Sequence, residues 1–190
     1  EKQTKPKDPK LLLSPEQVTR LFAMKNTDLY NALRLDYLFN NEIRFLTDCD
    51  RWLTFDKDKG IWLKDNAGKN SAILPVAGRL AMMLEENEPN PLDFPDAKKI
   101  IRSWQTNICV GAATNLLKGV NRIRITTDDL DNHPNLLNCK NGVIDLYDGK
   151  FYEVVDPALL LTQQVNAFYH AGFRNETVDK FLRDILPDDQ

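Results

Sequence analysis

The chain has 190 residues, of which 42% are hydrophobic and 28% charged, with a formal net charge of -3. That balance excludes a fully disordered chain and a uniformly basic nucleic-acid binder, and leaves room for one domain or two small ones with a genuine core. No run of about 18 apolar residues occurs, so no segment is expected to cross a membrane.

Residues 1–10 (EKQTKPKDPK) are rich in lysine and proline and carry no apolar anchor, which predicts a linker or frayed end over 1–12. Ser14-Pro15-Glu16-Gln17 predicts a helix start. Ser14 is placed to cap, Pro15 suits the first helical position, and Gln17 completes a capping box. That helix is expected to reach about Lys25. A second is expected from Asn26 or Thr27 towards Thr47, because Tyr30, Leu33, Tyr37, Leu38, Phe45 and Leu46 recur roughly at helical spacing. Arg51–Phe55 and Ile61–Lys64 are rich in β-formers and flank Asp58-Lys59-Gly60, which predicts a hairpin with Trp52 and Trp62 stacked across it.

Residues 70–86 predict a helix with Ala72, Val76, Leu80 and Met83 on one face and Pro75 in its first turn. After the break at Asn87–Pro91, helices are expected from Pro95 to about Thr106 and from Asn107 to about Lys118, where Gly119 stops the second. Leu136–Lys140, Val143–Leu146 and Phe151–Val155 are strand-like. Asn141-Gly142 and Asp148-Gly149 lie between them and are expected to form turns with both residues at positive φ. Asn175 is expected to cap a closing helix that runs through Leu186 and ends at Pro187. The fold class is therefore α+β: mainly helical in the first two-thirds with one small hairpin, then a three-stranded antiparallel meander and a closing helix. The expected division is a helical lobe with the tryptophan hairpin over 13–125, and the meander with its helix over 126–190.

The chemistry that can be read is sparse. Cys49, Cys109 and Cys139 are isolated and no CxxC pair exists, so reduced thiols of a cytosolic protein are expected and a structural zinc site is not. No charged-then-apolar signal sequence opens the chain. No G-x-x-x-x-G-K-[ST] occurs. Gly68-Lys69 is followed by Asn70 and has no glycine five residues earlier, so neither the phosphate cradle nor the Mg²⁺ hydroxyl of an ATPase is present.

Asp-x-Asp pairs at Asp48/Asp50, Asp56/Asp58 and Asp129/Asp131 match a two-metal pattern, but 28 acidic residues make chance pairs expected, and two of the pairs flank the hairpin, where Asp supports turns. Thr126–His133 gathers Asp129, Asp131 and His133 as metal candidates. The competing reading is an entry loop whose Thr and Asp bond their own backbone. With two histidines in the chain, no nucleophile arrangement can be read, and His170 beside Tyr169 is expected to be packing or surface.

Two basic clusters remain: Lys98, Lys99 and Arg102 with Trp104, and Lys118, Arg122 and Arg124. Cations beside an aromatic suit single-stranded DNA through phosphate pairing and base stacking. The alternative is a solvated face with Trp104 in the core, cations at a helix C-terminus being explained by the dipole alone.

One string resembles a known family. It runs Asp129-Leu130-Asp131, Pro134, Leu136-Leu137-Asn138, then Asn141-Gly142-Val143-Ile144-Asp145-Leu146, followed by Asp156-Pro157 and Leu161-Thr162. This resembles the signature of the poxvirus-type N-terminal domain that precedes the superfamily 3 helicase motor in phage and plasmid primase-helicases. The Trp52-Leu53-x-Phe55 and Gly60-x-Trp62 pair resembles that family's hairpin, and Phe181-Leu182 through Ile185–Asp189 resembles its hand-over segment. The resemblance covers about residues 28–190. Where such domains often carry an Asp-Ala pair, this chain reads Tyr169-His170-Ala171-Gly172.

The resemblance implies a piece of a longer replication initiator, and the start at Glu1 without Met fits a piece. It implies a non-catalytic linker and assembly domain with no cofactor of its own. ATP and Mg²⁺ belong to the full-length protein. The implied partners are single-stranded or forked DNA and the protein's own primase and helicase domains, with a homo-oligomer in the full-length form, and the implied location is the cytoplasm of a bacterial host. The rival readings are a protein-interaction module for a replication partner and a metal-dependent primase or nuclease using the Asp-x-Asp pairs.

Overall fold

Ser14 begins the first helix as its sequence requires. In the computed structural model, which describes residues 8–66 and 70–185, its hydroxyl accepts from the Gln17 amide at 3.2 Å, and Gln17 Oε1 accepts from the Ser14 amide at 2.8 Å. Most of the expected N-terminal linker, the Gly68-Lys69 pair and the end of the closing segment from Leu186 lie outside the described residues.

Helix α1 (Pro15–Ala23) packs on α2 (Asp28–Phe39), which Thr27 caps through the Tyr30 amide. Arg34 of α2 is fully buried and closes the C-terminus of α1, donating to the carbonyls of Leu21, Met24 and Lys25 and to Asn31 Oδ1. Burial lowers its guanidinium to about 10. Carbonyl dipoles at a helix end, with no carboxylate in the set, support the charge.

The expected long second helix stops at Phe39, and Ile43–Leu46 is a strand, β1. Phe45 and Leu46 lie seven and eight residues beyond Leu38, a spacing that also suits a helix, so local periodicity could not exclude one. The ladder with β2 (Arg51–Asp56) decides it, pairing Ile43 with Thr54 and Phe45 with Trp52. β3 (Ile61–Lys64) completes the expected hairpin, and β4 (Arg124–Ile125) adds a short parallel edge to β1, giving the order β3-β2-β1-β4.

Trp52 and Trp62 do not stack. The register sets Trp62 opposite Phe55 and Trp52 opposite Phe45. Alternation along a strand then sends the two indoles to opposite faces of the sheet. Each packs on its own phenylalanine, with ring centroids at 5.0 Å for Phe45–Trp52 and 5.3 Å for Phe55–Trp62.

On the Trp52 face lie the helices: α1, α2, α3 (Ile73–Glu86), α4 (Ala97–Trp104) and α5 (Asn107–Leu117). Pro75 sits in the first turn of α3, where its missing N–H costs nothing. On the Trp62 face a second, smaller core forms from Leu46, Leu53 and Trp62 with Phe55, Ile125, Leu130 and Leu160.

The meander is β5 (Leu136–Cys139), β6 (Gly142–Asp145) and β7 (Phe151–Tyr152). Its first turn is not Asn141-Gly142. Cys139 pairs with Gly142, so Lys140-Asn141 makes the turn, and neither residue has positive φ. Gly142, at φ 146°, is needed for a different reason: a Cβ there would stand 2.2 Å from the Tyr152 carbonyl oxygen and 3.0 Å from Glu153 Cα. At the second turn only Gly149 has positive φ.

The meander is tied to the tryptophan hairpin. The Trp62 amide donates to Leu161 O at 2.8 Å and its indole N–H to Pro157 O at 2.9 Å, while Asn138 Nδ2 donates to Gly60 O at 3.1 Å. The closing helix α6 (Glu176–Ile185) buries no residue.

Candidate nucleic-acid interface

Helix α4 repeats its apolar residues at Ala97, Ile100, Ile101 and Trp104, all buried, so Lys98, Lys99 and Arg102 are turned to solvent. Lys99 pairs with Asp96 at 2.9 Å. Trp104 is 2% exposed and its indole N–H donates to Asn31 Oδ1 at 3.1 Å. It is a core residue, and the α4 cluster has charge without a ring for a base to stack on.

The second cluster is largely engaged already. Lys118 bonds Asp50 at 2.9 Å with its ammonium 4.9 Å from the Phe45 ring centroid, and Arg122 pairs with the buried Asp36. Arg124 is exposed on β4. Of the six expected cationic contacts, Lys98, Arg102 and Arg124 are the ones with no ion pair among the described residues.

The acidic pairs are used in the fold. Asp48 accepts from the amide and hydroxyl of Thr127, and Asp129 accepts from those of Thr126. In both cases these hydrogen bonds hold the carboxyl below its ordinary range. Asp56 closes its hairpin, accepting from the amides of Asp58 and Lys59. Asp131, at φ 51°, accepts from the amide and hydroxyl of Thr162. His133 is exposed in this loop. No group of three His, Cys, Asp or Glu among the described residues is placed to hold a metal ion. Burial raises the thiols of Cys109 and Cys139, which keeps them protonated and unreactive.

The signature string acquires a physical meaning from these contacts. Asp131 holds Thr162, Asp156 accepts from the Ala158 amide to start the turn whose Pro157 carbonyl takes the Trp62 indole, and Leu161 O takes the Trp62 amide. Asn141 holds Tyr169 from both sides, accepting from its amide at 2.8 Å and donating to its carbonyl at 2.9 Å. The signature residues are joints between the meander, the hairpin and the segment that follows. They specify an architecture.

Sequence reasoning missed what Asn141 positions. Tyr169 stacks on Phe151 with centroids 4.8 Å apart, while Phe168, His170 and Phe173 are exposed around it. The available signal was compositional: Phe168-Tyr169-His170 and Phe173 gather aromatics in a stretch without helical or strand periodicity, where burial does not account for them.

No helix among the described residues is long and apolar enough to cross a membrane. No curated protein matches the chain. A family model described as "D5 N terminal like" matches residues 32–187, most of the chain, and covers the tryptophan hairpin, the meander and the signature string together. The chain therefore belongs to the D5 N-terminal-like family, the N-terminal domain type of primase-helicase replication proteins.

Proposed function

We propose that this chain is a non-catalytic linker and assembly domain of a phage, prophage or plasmid primase-helicase, set ahead of the ATPase motor and in contact with single-stranded or forked DNA. The observation that carries the non-catalytic reading is the use of the Asp-x-Asp carboxylates: all but Asp58 accept hydrogen bonds or ion pairs that hold loops together. ATP and Mg²⁺ would serve a motor elsewhere in the full-length protein, where a homo-oligomer is also expected.

Two assays test this. Fluorescence anisotropy against single-stranded, double-stranded and forked DNA across a salt series should show salt-sensitive binding that prefers single strands or forks. A primer-synthesis assay with Mg²⁺ or Mn²⁺ should show no activity, and activity lost on D129A/D131A would establish an enzyme instead. A protein-interaction role is the second reading. It is favoured by α6, whose Val178, Phe181, Leu182 and Ile185 are all exposed on one side of the helix. Absence of DNA binding at low salt together with stable capture of a replication protein would support it.

A further inference from the structure

The segment 166–175 belongs to no regular element beyond a short turn, yet its backbone is held in place. The Lys140 amide donates to Ala167 O at 2.9 Å, and Asn141 binds the Tyr169 peptide from both sides. Tyr169 is thereby turned onto Phe151, with 24° between the rings. Its neighbours stay exposed. Phe168 is 58% exposed, the His170 ring lies beside it at 26° with centroids 6.5 Å apart, and Phe173 is 73% exposed. These four aromatic residues line an open recess of about 450 Å³ with no aliphatic side chain in its wall. The Lys140 ammonium stands 5.6 Å from the Phe168 ring centroid, and no carboxylate pairs with it among the described residues.

Phe168 and Phe173 are exposed within one recess and not scattered singly, and contiguous exposed apolar surface marks interaction sites. Flat rings with open faces, one cation beside them and no competing carboxylate fit a ligand that brings π-faces and negative charge together, which is what successive bases and phosphates of a single strand supply. The α4 patch offers charge without rings; this recess offers both.

We propose that Phe168, His170 and Phe173, with Lys140 beside them, form a stacking platform for the bases of single-stranded nucleic acid. This rests on the DNA-contacting reading above and places that contact on the meander side of the molecule, away from α4.

The test is fluorescence anisotropy with a labelled oligothymidine and an abasic strand of equal length. The wild-type chain is compared with F168A/F173A, F168Y/F173Y and K140A. F168A/F173A should bind the thymidine strand about tenfold more weakly or worse, since stacking is lost at up to two bases. It should bind the abasic strand like wild type. F168Y/F173Y should restore thymidine binding, and K140A should weaken both strands alike and lower the salt slope by about 1. Because both phenylalanines are exposed, the melting temperature should not move. If the wild type binds the thymidine strand and F168A/F173A binds it equally well, the platform is wrong while the DNA-contacting reading stands. If the wild type binds neither strand at low salt, that reading falls and the platform with it.

Discussion

The two β-hairpins that begin from an aspartate are built to one local plan and placed in opposite surroundings. In the first, Asp56 opens a four-residue loop that ends in Gly60 at φ 63°. The Gly60 amide donates to Asp56 O at 2.7 Å, and the Asp58 amide to Asp56 Oδ1 at 3.1 Å. In the second, Asp145 opens a loop that ends in Gly149 at φ 73°, with the Gly149 amide on Asp145 O at 2.8 Å and the Tyr147 amide on Asp145 Oδ1 at 2.8 Å.

Their environments differ. A Cβ on Gly60 would stand 2.4 Å from Val155 Cγ2, whereas a Cβ on Gly149 would meet nothing within 4 Å. Behind the first loop lies the buried Trp62, while the second carries Tyr147 at 87% exposure. One local code thus gives a joint in one place and a free tip in the other. Tertiary contact, more than turn chemistry, should set what each residue is worth.

The largest effect is expected at Trp62. Replacing it with alanine removes the largest side chain of the second core and frees the Pro157 carbonyl, which should cost about 3–5 kcal/mol in urea unfolding. Tyr152→Ala, at a half-exposed ring on β7, should cost less than half of that. Equal losses would show that the hairpin is not the joint.

The glycines sharpen the comparison. Gly149→Ala should cost about 1 kcal/mol, the strain of a left-handed backbone alone. Gly60→Ala should cost about 2–3 kcal/mol, because Val155 must also move. Matching values would mean the loop geometry alone decides.

The smallest effects concern pH. Burial raises the Glu42 carboxyl, but hydrogen bonds from Lys57 in the first loop and from Arg79 outweigh this and hold it below 4.5. A depressed carboxyl stabilises the fold above its unfolded pKa, and that contribution is lost as pH falls through the folded value. Wild type should therefore exceed Glu42→Gln in stability at neutral pH, and the two should converge as pH falls through that lowered folded value. Asp148 in the second loop is also held low, by Lys150, but it is open to water, so Asp148→Asn should leave the unfolding midpoint unchanged at any pH.

Much of this architecture was legible in the residues. Ser14 with Gln17, the apolar spacing of α4 and the β-rich runs around Asp58-Lys59-Gly60 and Asn141-Gly142 encode their elements locally, through caps, periodicity and turn propensity. The α+β class follows from them, and the signature string marked the family. The strand at Ile43–Leu46 was not legible, because four residues following a helix satisfy either period until a partner strand supplies the ladder. Nor was the β1–β4 pairing, which joins residues some eighty positions apart.

The candidate site divides in the same way. Local sequence marked where cations gather, and Lys98, Arg102 and Arg124 do face solvent. It could not show that Trp104 turns inward to Asn31, that Lys118 and Arg122 meet Asp50 and Asp36, or that Asn141 holds Tyr169 so that Phe168 and Phe173 stay outside. Sequence by itself determined most of the helices, strands and turns whose hydrogen bonds close within a few residues. The tertiary structure decided which face of each element is covered and which charges are already paired, because burial and ion pairing depend on partners that the chain brings together only once it has folded.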